Sequence, residues 1–370
     1  MTRHPTVHVV LPNDIDDPAT PSGGNVYDRR ICRGLAGAGW TVFEHAVRGA
    51  WPRPNPAERS ELARVLASLP DDAVVLIDGL VASTVPDVLV PHSASLRADH
   101  PAQTKRLRLV ILLHMPLGGQ SPQLRRSEGE VLSAAAAVVT TSFWSRLRLL
   151  DLYALDADRV WAAPPGVDTA PLAPGSEDCG RLLCVAAVTP GKGHDVLVGA
   201  LAAVRDRPWN CVCVGALDRD PGFVDDVRRR ARATGIADRL EFTGPLTGPK
   251  LRARYAAADL LVLASRGETY GMVVTEALAR GTPVLTSAVE GLPEALGRAP
   301  DGGLPGLLVE PDDPAAFAGA LRRWLTEPEL RHRLRRSACE RRSTLTDWAV
   351  TSNLVAAALS GAMAKVSAGR

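Results

Sequence analysis

The feature that most constrains this chain is a regular alternation of short apolar segments with longer segments of helical periodicity. The apolar segments are nearly continuous, which is typical of parallel strands buried on both faces. Helices between such strands would cover both sides of a sheet, so the pattern predicts an α/β fold. The predicted strands are 6–11, 40–44, 73–77, 107–113, 136–140, 159–162, 182–188, 209–215, 239–243, 259–264, 283–287 and 306–309. The predicted helices include 24–38, 142–151, 194–204, 223–234, 248–257, 272–280 and the Arg-rich segment 321–342.

A stretch rich in Pro and Gly divides these elements into two series of six strands. It runs from Pro164 to Gly175, and such a composition is typical of a linker. At about 150 residues per domain, a chain of 370 residues also suggests two domains. We therefore predict two doubly wound domains.

Composition and charge exclude several classes of protein. The net charge is +2, from 43 basic and 41 acidic residues, which argues against a nucleic-acid partner. No apolar run reaches 18 residues, so no membrane span is predicted, and the opening MTRHPTVHVVLP is too short in its apolar part for a signal peptide. The six cysteines have no metal-binding spacing. Cys211 and Cys213 share one face of an apparent buried strand and are predicted to be reduced core residues, which fits a cytoplasmic location.

Several known motifs are absent. No GxGxxG follows the first strand, which disfavours a dehydrogenase with a dinucleotide cofactor. The turn around Lys192 lacks the upstream Gly and the Ser or Thr of a P-loop. Two DxD triplets, Asp156–Asp158 and Asp218–Asp220, have the form of a metal–diphosphate motif, but such triplets are frequent by chance. We predict no metal site.

The strongest chemical signal is the segment ETYGMVVTE, which follows the strand at 259–264 and opens a helix. Its two carboxylates, Glu268 and Glu276, are placed to accept hydrogen bonds from sugar and ribose hydroxyls. A helix start with free amides suits a phosphate or diphosphate. The amides predicted to be free are those of Gly271, Met272, Val273 and Val274. The alternative is that both glutamates are surface or capping residues.

Three further features lie where predicted strands end. Lys192 follows a buried strand in a Gly- and Pro-rich turn, where its charge can neutralise a diphosphate. Gly23 and Gly24 follow the first strand and lead into a helix, which is a second possible anion site. His114 ends another strand and has either a structural or a functional role. The two anion sites together would hold one diphosphate.

Several stretches combine into one specific pattern. They are SGGNVYDRRICRGLAGAGWTV, VVTTSFWSRLRL, PPGVDTAPL, LLCVAAVTPGKGHDVLVGAL, LEFTGPLTGPKLRARYAAADLLVLASRGETYGMVVTEALARGTPVL and a terminal TDWAV helix. With them the chain resembles, nearly end to end, the family 4 glycosyltransferases (GT4) of the GT-B fold. The resemblance implies two facing Rossmann-like domains with a C-terminal helix crossing back to the first. Residues 1–170, completed by 345–370, would bind the acceptor, and residues 171–344 would bind the nucleotide-sugar donor.

The family resemblance also implies the reaction. It is transfer of a hexose-type sugar from a nucleotide-diphosphate sugar to a hydroxyl acceptor, with retention, forming an alpha link, without a cofactor or an essential metal. By position, Glu276 would bind the ribose, Glu268 the sugar hydroxyls, and Leu246 would lie beside the base. The implied catalytic residues are His114, Lys192 and Glu268. The implied donor-binding residues are Gly23, Gly24, Lys192, Leu246, Arg266, Glu268, Tyr270, Gly271, Met272, Val273 and Glu276.

The chain departs from the family pattern at one place. The family usually has a Gly-Arg pair before the Lys loop, and the aligned residues here are Ala186 and Ala187. Losing this cation would weaken diphosphate binding or stabilisation of the leaving group. Three readings stay open: Arg266 substitutes for it, the helix dipole and Lys192 suffice, or the activity is reduced.

Two alternatives to transfer remain. One is a nucleotide-sugar epimerase of the same fold, which needs no acceptor, and the other is a non-catalytic nucleotide-sugar-binding partner subunit. A peripheral membrane contact is the less favoured reading of a basic cluster in the first half. That cluster comprises Arg97, Lys105, Arg106, Arg108, Arg125 and Arg126.

Overall fold

The computed structural model describes residues 4–17, 21–93 and 107–364. The chain forms two compact domains: the first comprises Met1–Asp16, Ser22–Gly166 and Trp348–Arg370, and the second comprises Asp17–Pro21 and Val167–Asp347. Each contains one six-stranded sheet in which neighbouring strands are parallel. This confirms the predicted fold class of two doubly wound, Rossmann-like domains.

In the first domain the sheet order is β2-β1-β3-β4-β5-β6. Its strands are β1 (Thr6–Pro12), β2 (Thr41–Val47), β3 (Val74–Asp78), β4 (Arg108–Leu113), β5 (Ala137–Thr140) and β6 (Val160–Ala162). Its helices are α1 (Gly23–Gly37), α2 (Pro56–Ser68), α3 (Gly79–Ala82), α4 (Pro86–Leu89), α5 (Pro122–Ala134), α6 (Phe143–Tyr153) and α14 (Trp348–Ala364). Because β2 and β3 lie on opposite sides of β1, the order reverses between β1 and β3.

Helix α1 and the C-terminal helix α14 pack against each other in this domain. The Ser22 hydroxyl caps α1 by accepting the Asn25 amide at 3.0 Å. Gly34 permits the contact between the helices, because a Cβ there would lie 1.9 Å from the Ser352 hydroxyl oxygen. The Thr351 hydroxyl donates to the Pro164 carbonyl at 2.8 Å. The C-terminal helix therefore returns to the first domain, as predicted.

In the second domain the sheet order is β12-β11-β10-β7-β8-β9. Its strands are β7 (Arg181–Val185), β8 (Asn210–Val214), β9 (Leu240–Gly244), β10 (Leu260–Leu263), β11 (Val284–Ser287) and β12 (Gly306–Val309). Its helices are α7 (His194–Ala203), α8 (Pro221–Ala233), α9 (Gly248–Ala257), α10 (Met272–Leu278), α11 (Leu292–Leu296), α12 (Pro314–Thr326) and α13 (Pro328–Arg341). Here the order reverses between β7 and β10.

The Arg-rich segment differs from the prediction of a single helix over 321–342. It belongs to two helices, α12 and α13, which are separated at Glu327. Glu327 adopts an extended conformation, with φ −104° and ψ 97°. The cause is Pro328, which disfavours a helical conformation in the preceding residue and starts α13 instead.

The aspartates of the two DxD triplets make local hydrogen bonds. Asp156 accepts the Asp158 amide at 3.0 Å, and Asp220 caps α8 by accepting the Phe223 amide at 3.0 Å. The six cysteines are all free, and all but Cys339 are buried. Across the described ranges, no helix combines the length and the apolar character needed to cross a bilayer. Arg97, Lys105 and Arg106 lie outside the described residues.

The two reversals of strand order indicate where ligands would bind. In open α/β sheets, ligands bind beyond the carboxyl ends of the strands, at the point where the strand order reverses. In the first domain this point lies after β1 and β3, and in the second after β7 and β10.

Candidate active site

In the second domain, the loops that follow β7 and β10 touch each other at the reversal point. Lys192 ends a short 3-10 turn, Pro190–Lys192, and Gly193 then starts α7 with a φ of +64°. A Cβ on Gly193 would lie 1.9 Å from the Ala264 carbonyl oxygen, which follows β10. Gly193 therefore lets the backbones of the two loops meet, and this fixes the place of Lys192.

Lys192 and Glu268, two of the predicted catalytic residues, form an ion pair. The Lys192 ammonium donates to Glu268 Oε2 at 2.5 Å. The side chains are 29% and 22% exposed, so solvent reaches both groups. A pair of this kind is a charge-assisted hydrogen bond that a charged ligand can replace.

The backbone of Glu268 is held from the loop after β11. Its amide donates to Glu290 Oε2 at 2.6 Å, and its carbonyl accepts the Gly291 amide at 2.9 Å. A Cβ on Gly291 would lie 2.1 Å from the Thr269 carbonyl oxygen, so this approach requires glycine. Glu290 was not predicted, although it follows a strand at the same edge of the sheet as Glu268.

Arg266 links the Lys192 turn to the loop after β10 through several hydrogen bonds. Its guanidinium donates to both carboxylate oxygens of Asp195 at 2.9 Å, to Asp312, and to the Pro190 carbonyl at 2.5 Å. Its own amide donates to the Gly191 carbonyl at 2.9 Å. Its hydrogen bonds with the two carboxylates raise the pKa of Arg266 above its usual value. Arg266, which one of the three open readings puts in place of the family arginine, is thus already paired with two carboxylates.

The start of α10 differs in one respect from the prediction of four free amides. The Val274 amide donates to the Gly271 carbonyl at 2.9 Å and is not free. For the amides of Met272 and Val273, no acceptor is found in the part of the chain that the structure describes. Gly271 has a φ of +92°, and a Cβ there would lie 2.6 Å from the Leu292 side chain. Fewer backbone amides are therefore free to bind a ligand at the start of α10 than the sequence predicted.

Three other residues that were predicted to bind the donor, Glu276, Tyr270 and Leu246, lie beside or within the hydrophobic core of the second domain. Glu276 lies on α10 beside the buried Tyr255, and burial together with the Glu276 charge raises the pKa of that tyrosine. The side chain of Tyr270 belongs to the core, and burial raises its pKa to about 12. Leu246 follows β9 and packs, half-buried, against the same core.

In the first domain, the start of α1 meets His114, the residue after β4. Gly24 packs on the imidazole: a Cβ there would lie 3.3 Å from His114 Cδ2 and 3.7 Å from Nε2. Gly23 is the first residue of α1 and is exposed. The structure thus brings Gly24 and His114 together, as two residues of one site.

Two carboxylates that were not predicted lie beside His114. His114 Nε2 lies 2.7 Å from Asp28 Oδ1 and 3.8 Å from Asp78 Oδ2. Asp28 and Asp78 are 1% and 2% exposed. A signal for each was present: Asp78 is the last residue of β3, and Asp28 lies on the apolar face of α1 with Ile31 and Leu35.

The three groups change one another's protonation. Burial and the charge of Asp28 raise the pKa of Asp78 to about 8. Burial opposes protonation of His114, but the Asp28 carboxylate outweighs it and raises the pKa of His114 to about 9. Both pKa shifts thus favour the protonated forms of His114 and Asp78.

Two groups of side chains bring possible metal ligands close together. The buried Cys184, His194 and Cys213 each offer one atom within 4.8 Å of the others, with 3.6 Å between Cys184 Sγ and His194 Nε2. The other group is the Asp28 cluster. In the Asp28 cluster, the 2.7 Å contact between His114 Nε2 and Asp28 Oδ1 is a hydrogen bond. Two adjacent ligands of an octahedral ion bound at about 2.1 Å would lie farther apart, at roughly 3 Å.

Comparison with known proteins gives consistent results. The family model described as glycosyl transferases group 1 matches residues 175–341. The D-inositol 3-phosphate glycosyltransferase of Acidothermus cellulolyticus is 31% identical over 376 residues, covering 88% of this chain and 83% of that protein. The protein of the same name from Jonesia denitrificans is 32% identical over 243 residues, covering 60% of this chain and 56% of its own length.

Solved structures resemble the whole chain. The sucrose-phosphate synthase of Thermosynechococcus elongatus superimposes with a TM-score of 0.76 at 21% identity, covering 99% of this chain and all of the other. The HepE protein of Anabaena, in complex with UDP and glucose, gives 0.73 at 18% identity, covering 96% of this chain and all of the other. At these identities the likeness concerns the fold.

Proposed function

Because this chain belongs to the group 1 glycosyl transferases of the GT4 type, we propose the following reaction for it. It moves a hexose-type sugar from a nucleotide-diphosphate sugar to a hydroxyl group of an acceptor, with retention and an alpha link, and without a metal. The second domain binds the donor and the first binds the acceptor. The inositol phosphate named for the relatives is the first acceptor to test, because one of them aligns with 88% of this chain.

The observation that carries this proposal is the Lys192–Glu268 ion pair at the strand reversal of the second domain. When the donor binds, Lys192 exchanges the carboxylate for the diphosphate. Glu268, released from Lys192, then accepts hydrogen bonds from the hydroxyls of the sugar. Each group keeps a partner of opposite polarity in both states, so the exchange does not leave a charge unpaired.

In the chemical step, the bond between the anomeric carbon and the phosphate oxygen breaks, and a bond to the acceptor oxygen forms on the same face. The departing phosphate takes the proton of the acceptor hydroxyl. Negative charge develops on the diphosphate as the bond breaks, and Lys192 stabilises it, with the amides of Met272 and Val273. Stabilisation of developing charge commonly contributes more to catalysis than any other single effect.

The remaining residues have supporting roles in this proposal. Glu276 binds the ribose hydroxyls, and Leu246 lies beside the base. His114 touches the sugar substrate as the catalytic residue of the first domain. Arg266 holds the turn that carries Lys192, because its guanidinium is shared by Asp195 and Asp312. The missing family arginine at Ala187 is then compensated by Lys192 and the α10 amides alone.

The cellular setting and the metal requirement are also proposals. The six free cysteines support a cytoplasmic location. Charge stabilisation by Lys192 supports a reaction that needs no divalent ion.

A transfer assay tests the reaction. The chain is incubated with UDP-, GDP-, ADP- and dTDP-sugars, with and without inositol 3-phosphate and EDTA, and the anomeric configuration of the product is read by NMR. We expect an alpha-linked product from one donor class, with the rate unchanged by EDTA. An epimerised sugar formed without acceptor would identify an epimerase, and nucleotide binding without turnover would identify a partner subunit.

A further inference from the structure

The proposed reaction gives no chemical role to two buried carboxylates of the first domain, one of which, Asp78, caps α3 by accepting the Leu80 amide at 2.5 Å. Asp28 and Asp78 are almost inaccessible, and Asp28 Oδ2 has no hydrogen-bond partner in the described part of the chain. Burying a carboxylate without a compensating cation is costly. The cation that faces both of them is His114, from the end of β4.

The contacts of His114 determine which of its nitrogens remains available. Nε2 is bonded to Asp28, and Gly24 covers the Cδ2–Nε2 edge of the ring. The Tyr27 ring meets the imidazole edge-on, with 5.3 Å between centroids. In the described ranges no hydrogen bond to Nδ1 is found, and the side chain is 16% exposed. Nδ1 is therefore the nitrogen that a ligand can reach.

The charges around the ring favour a proton on both nitrogens. Asp28 faces it from α1 and Asp78 from the end of β3, while the neighbouring Tyr27 of α1 is neutral. With both nitrogens protonated, Nε2–H donates to Asp28, and Nδ1–H is left as a donor.

We propose that Asp28 is a positioning residue that fixes His114 through Nε2, so that Nδ1–H donates to an oxygen of the bound sugar substrate. His114 then acts as a cationic hydrogen-bond donor and not as a base. The identity of the ligand rests on the proposed function, whereas the orientation and protonation of the ring do not.

The protonation of the ring is tested without any activity. In protein labelled with ¹⁵N-histidine, long-range ¹⁵N–¹H NMR spectra report the state of each ring nitrogen, and the His114→Asn variant identifies the His114 signals. We expect both nitrogens of His114 to be protonated at pH 7. In Asp28→Asn, a variant of almost the same shape, we expect His114 to titrate near the value of an exposed histidine. A neutral ring in the native protein, or unchanged titration in Asp28→Asn, would overturn the proposal. If Asp28→Asn does not fold, the native spectrum alone decides.

The available nitrogen is tested by a matched pair of substitutions. The amide of His114→Asn can take the place of Nδ1, whereas the amide of His114→Gln can take the place of Nε2 and keep the bond to Asp28. We expect the Asn variant to transfer sugar up to about 10-fold faster than the Gln variant, because only its amide can donate a hydrogen bond to the sugar oxygen in place of Nδ1–H. The reverse order would overturn the proposal. If the native protein transfers no sugar, the proposed function fails, and the NMR result still decides the role of Asp28.

Discussion

The two domains place charged side chains at equivalent points of their sheets but bury them to different extents. In the first domain, Asp28 and Asp78 are 1% and 2% exposed; Asp28 is hydrogen-bonded to His114 and Asp78 lies 3.8 Å from it. In the second, Lys192 and Glu268 keep about a quarter of their side-chain surface exposed. The difference in exposure indicates different roles. The buried cluster of Asp28, Asp78 and His114 is a fixed part of the fold, whereas a ligand can replace one partner of the exposed Lys192–Glu268 ion pair.

The energetics of ion pairs support this difference in roles. Removing one partner of a buried pair leaves a buried charge uncompensated, whereas an exposed pair contributes little because water solvates both groups. Substitutions in the first cluster should therefore affect stability most, and those in the second should affect activity most.

The largest expected effect is on the stability of the first domain. Asp28→Ala should lower its free energy of unfolding by about 3–5 kcal/mol, because His114 loses its hydrogen-bonded carboxylate in a buried site. Glu268→Ala, the matched change in the second domain, should cost no more than about 1 kcal/mol. Urea unfolding followed by tryptophan fluorescence measures both. Equal costs would remove the distinction between the two clusters.

The next effect is on catalysis in the second domain. Lys192→Ala should reduce the transfer rate about 10²–10³-fold, as expected for losing a group that stabilises developing charge. Its free energy of unfolding should change by less than about 1 kcal/mol. Lys250→Ala, an exposed position on α9, is the control and should keep full activity. Native-like turnover by Lys192→Ala would show that this lysine does not hold the diphosphate.

The pH dependence of stability distinguishes the domains further. The pKa of His114 is raised to about 9, so its contribution to stability is complete below about pH 6.5 and is lost as the pH rises through 9. The raised pKa of Asp78, about 8, has the same sign. The free energy of unfolding of the first domain should fall as the pH rises from about 4 to 9, by roughly 1.4 kcal/mol per pH unit for each extra proton bound. Asp78 contributes to the fall between about pH 4 and 8, and His114 between about pH 6.5 and 9. Urea unfolding at several pH values should show a flatter profile for Asp78→Asn, and a profile that rises with pH would contradict this assignment.

The smallest expected effect comes from Arg266, which links the Lys192 turn to the loop after β10. Arg266→Ala removes the contacts to Asp195, Asp312 and Pro190, and should raise the KM for the donor about 10-fold through a less ordered turn. Arg254→Ala removes a comparable bidentate pair with Glu241 on α9 and β9 and should leave the KM unchanged. Steady-state kinetics of both variants test this, and equal KM values would show that Arg266 does not position Lys192.

Much of the fold could be predicted from the sequence, because most of the twelve strands are short apolar runs and eleven of them are followed by a helix. A buried parallel strand is a local pattern, so it can be recognised without knowing its neighbours. The break between α12 and α13 was missed, although Pro328 marks it, because the many arginines on both sides suggested one continuous exposed face.

The candidate site was only partly predictable, for a physical reason. Lys192 and Glu268 each follow a strand, and the strand reversal brings them together. The partners of these residues depend on how loops from different strands meet: Glu290 reaches Glu268 across 22 positions, and Asp28 reaches His114 across 86. A sequence signal shows that Asp78 ends a strand, but it does not show which side chain it faces.

The most direct test of the central claim, that Lys192 exchanges Glu268 for the diphosphate of a donor, is thermal unfolding with nucleotides. The native chain and Lys192→Ala are each heated with UDP, GDP, ADP and dTDP, with and without EDTA. We predict that one nucleotide stabilises the native chain, by about 2.7 kcal/mol at 100 times its Kd. EDTA should not change this shift, and Lys192→Ala should lose most of it. No shift with any nucleotide, or an equal shift in Lys192→Ala, would contradict the account.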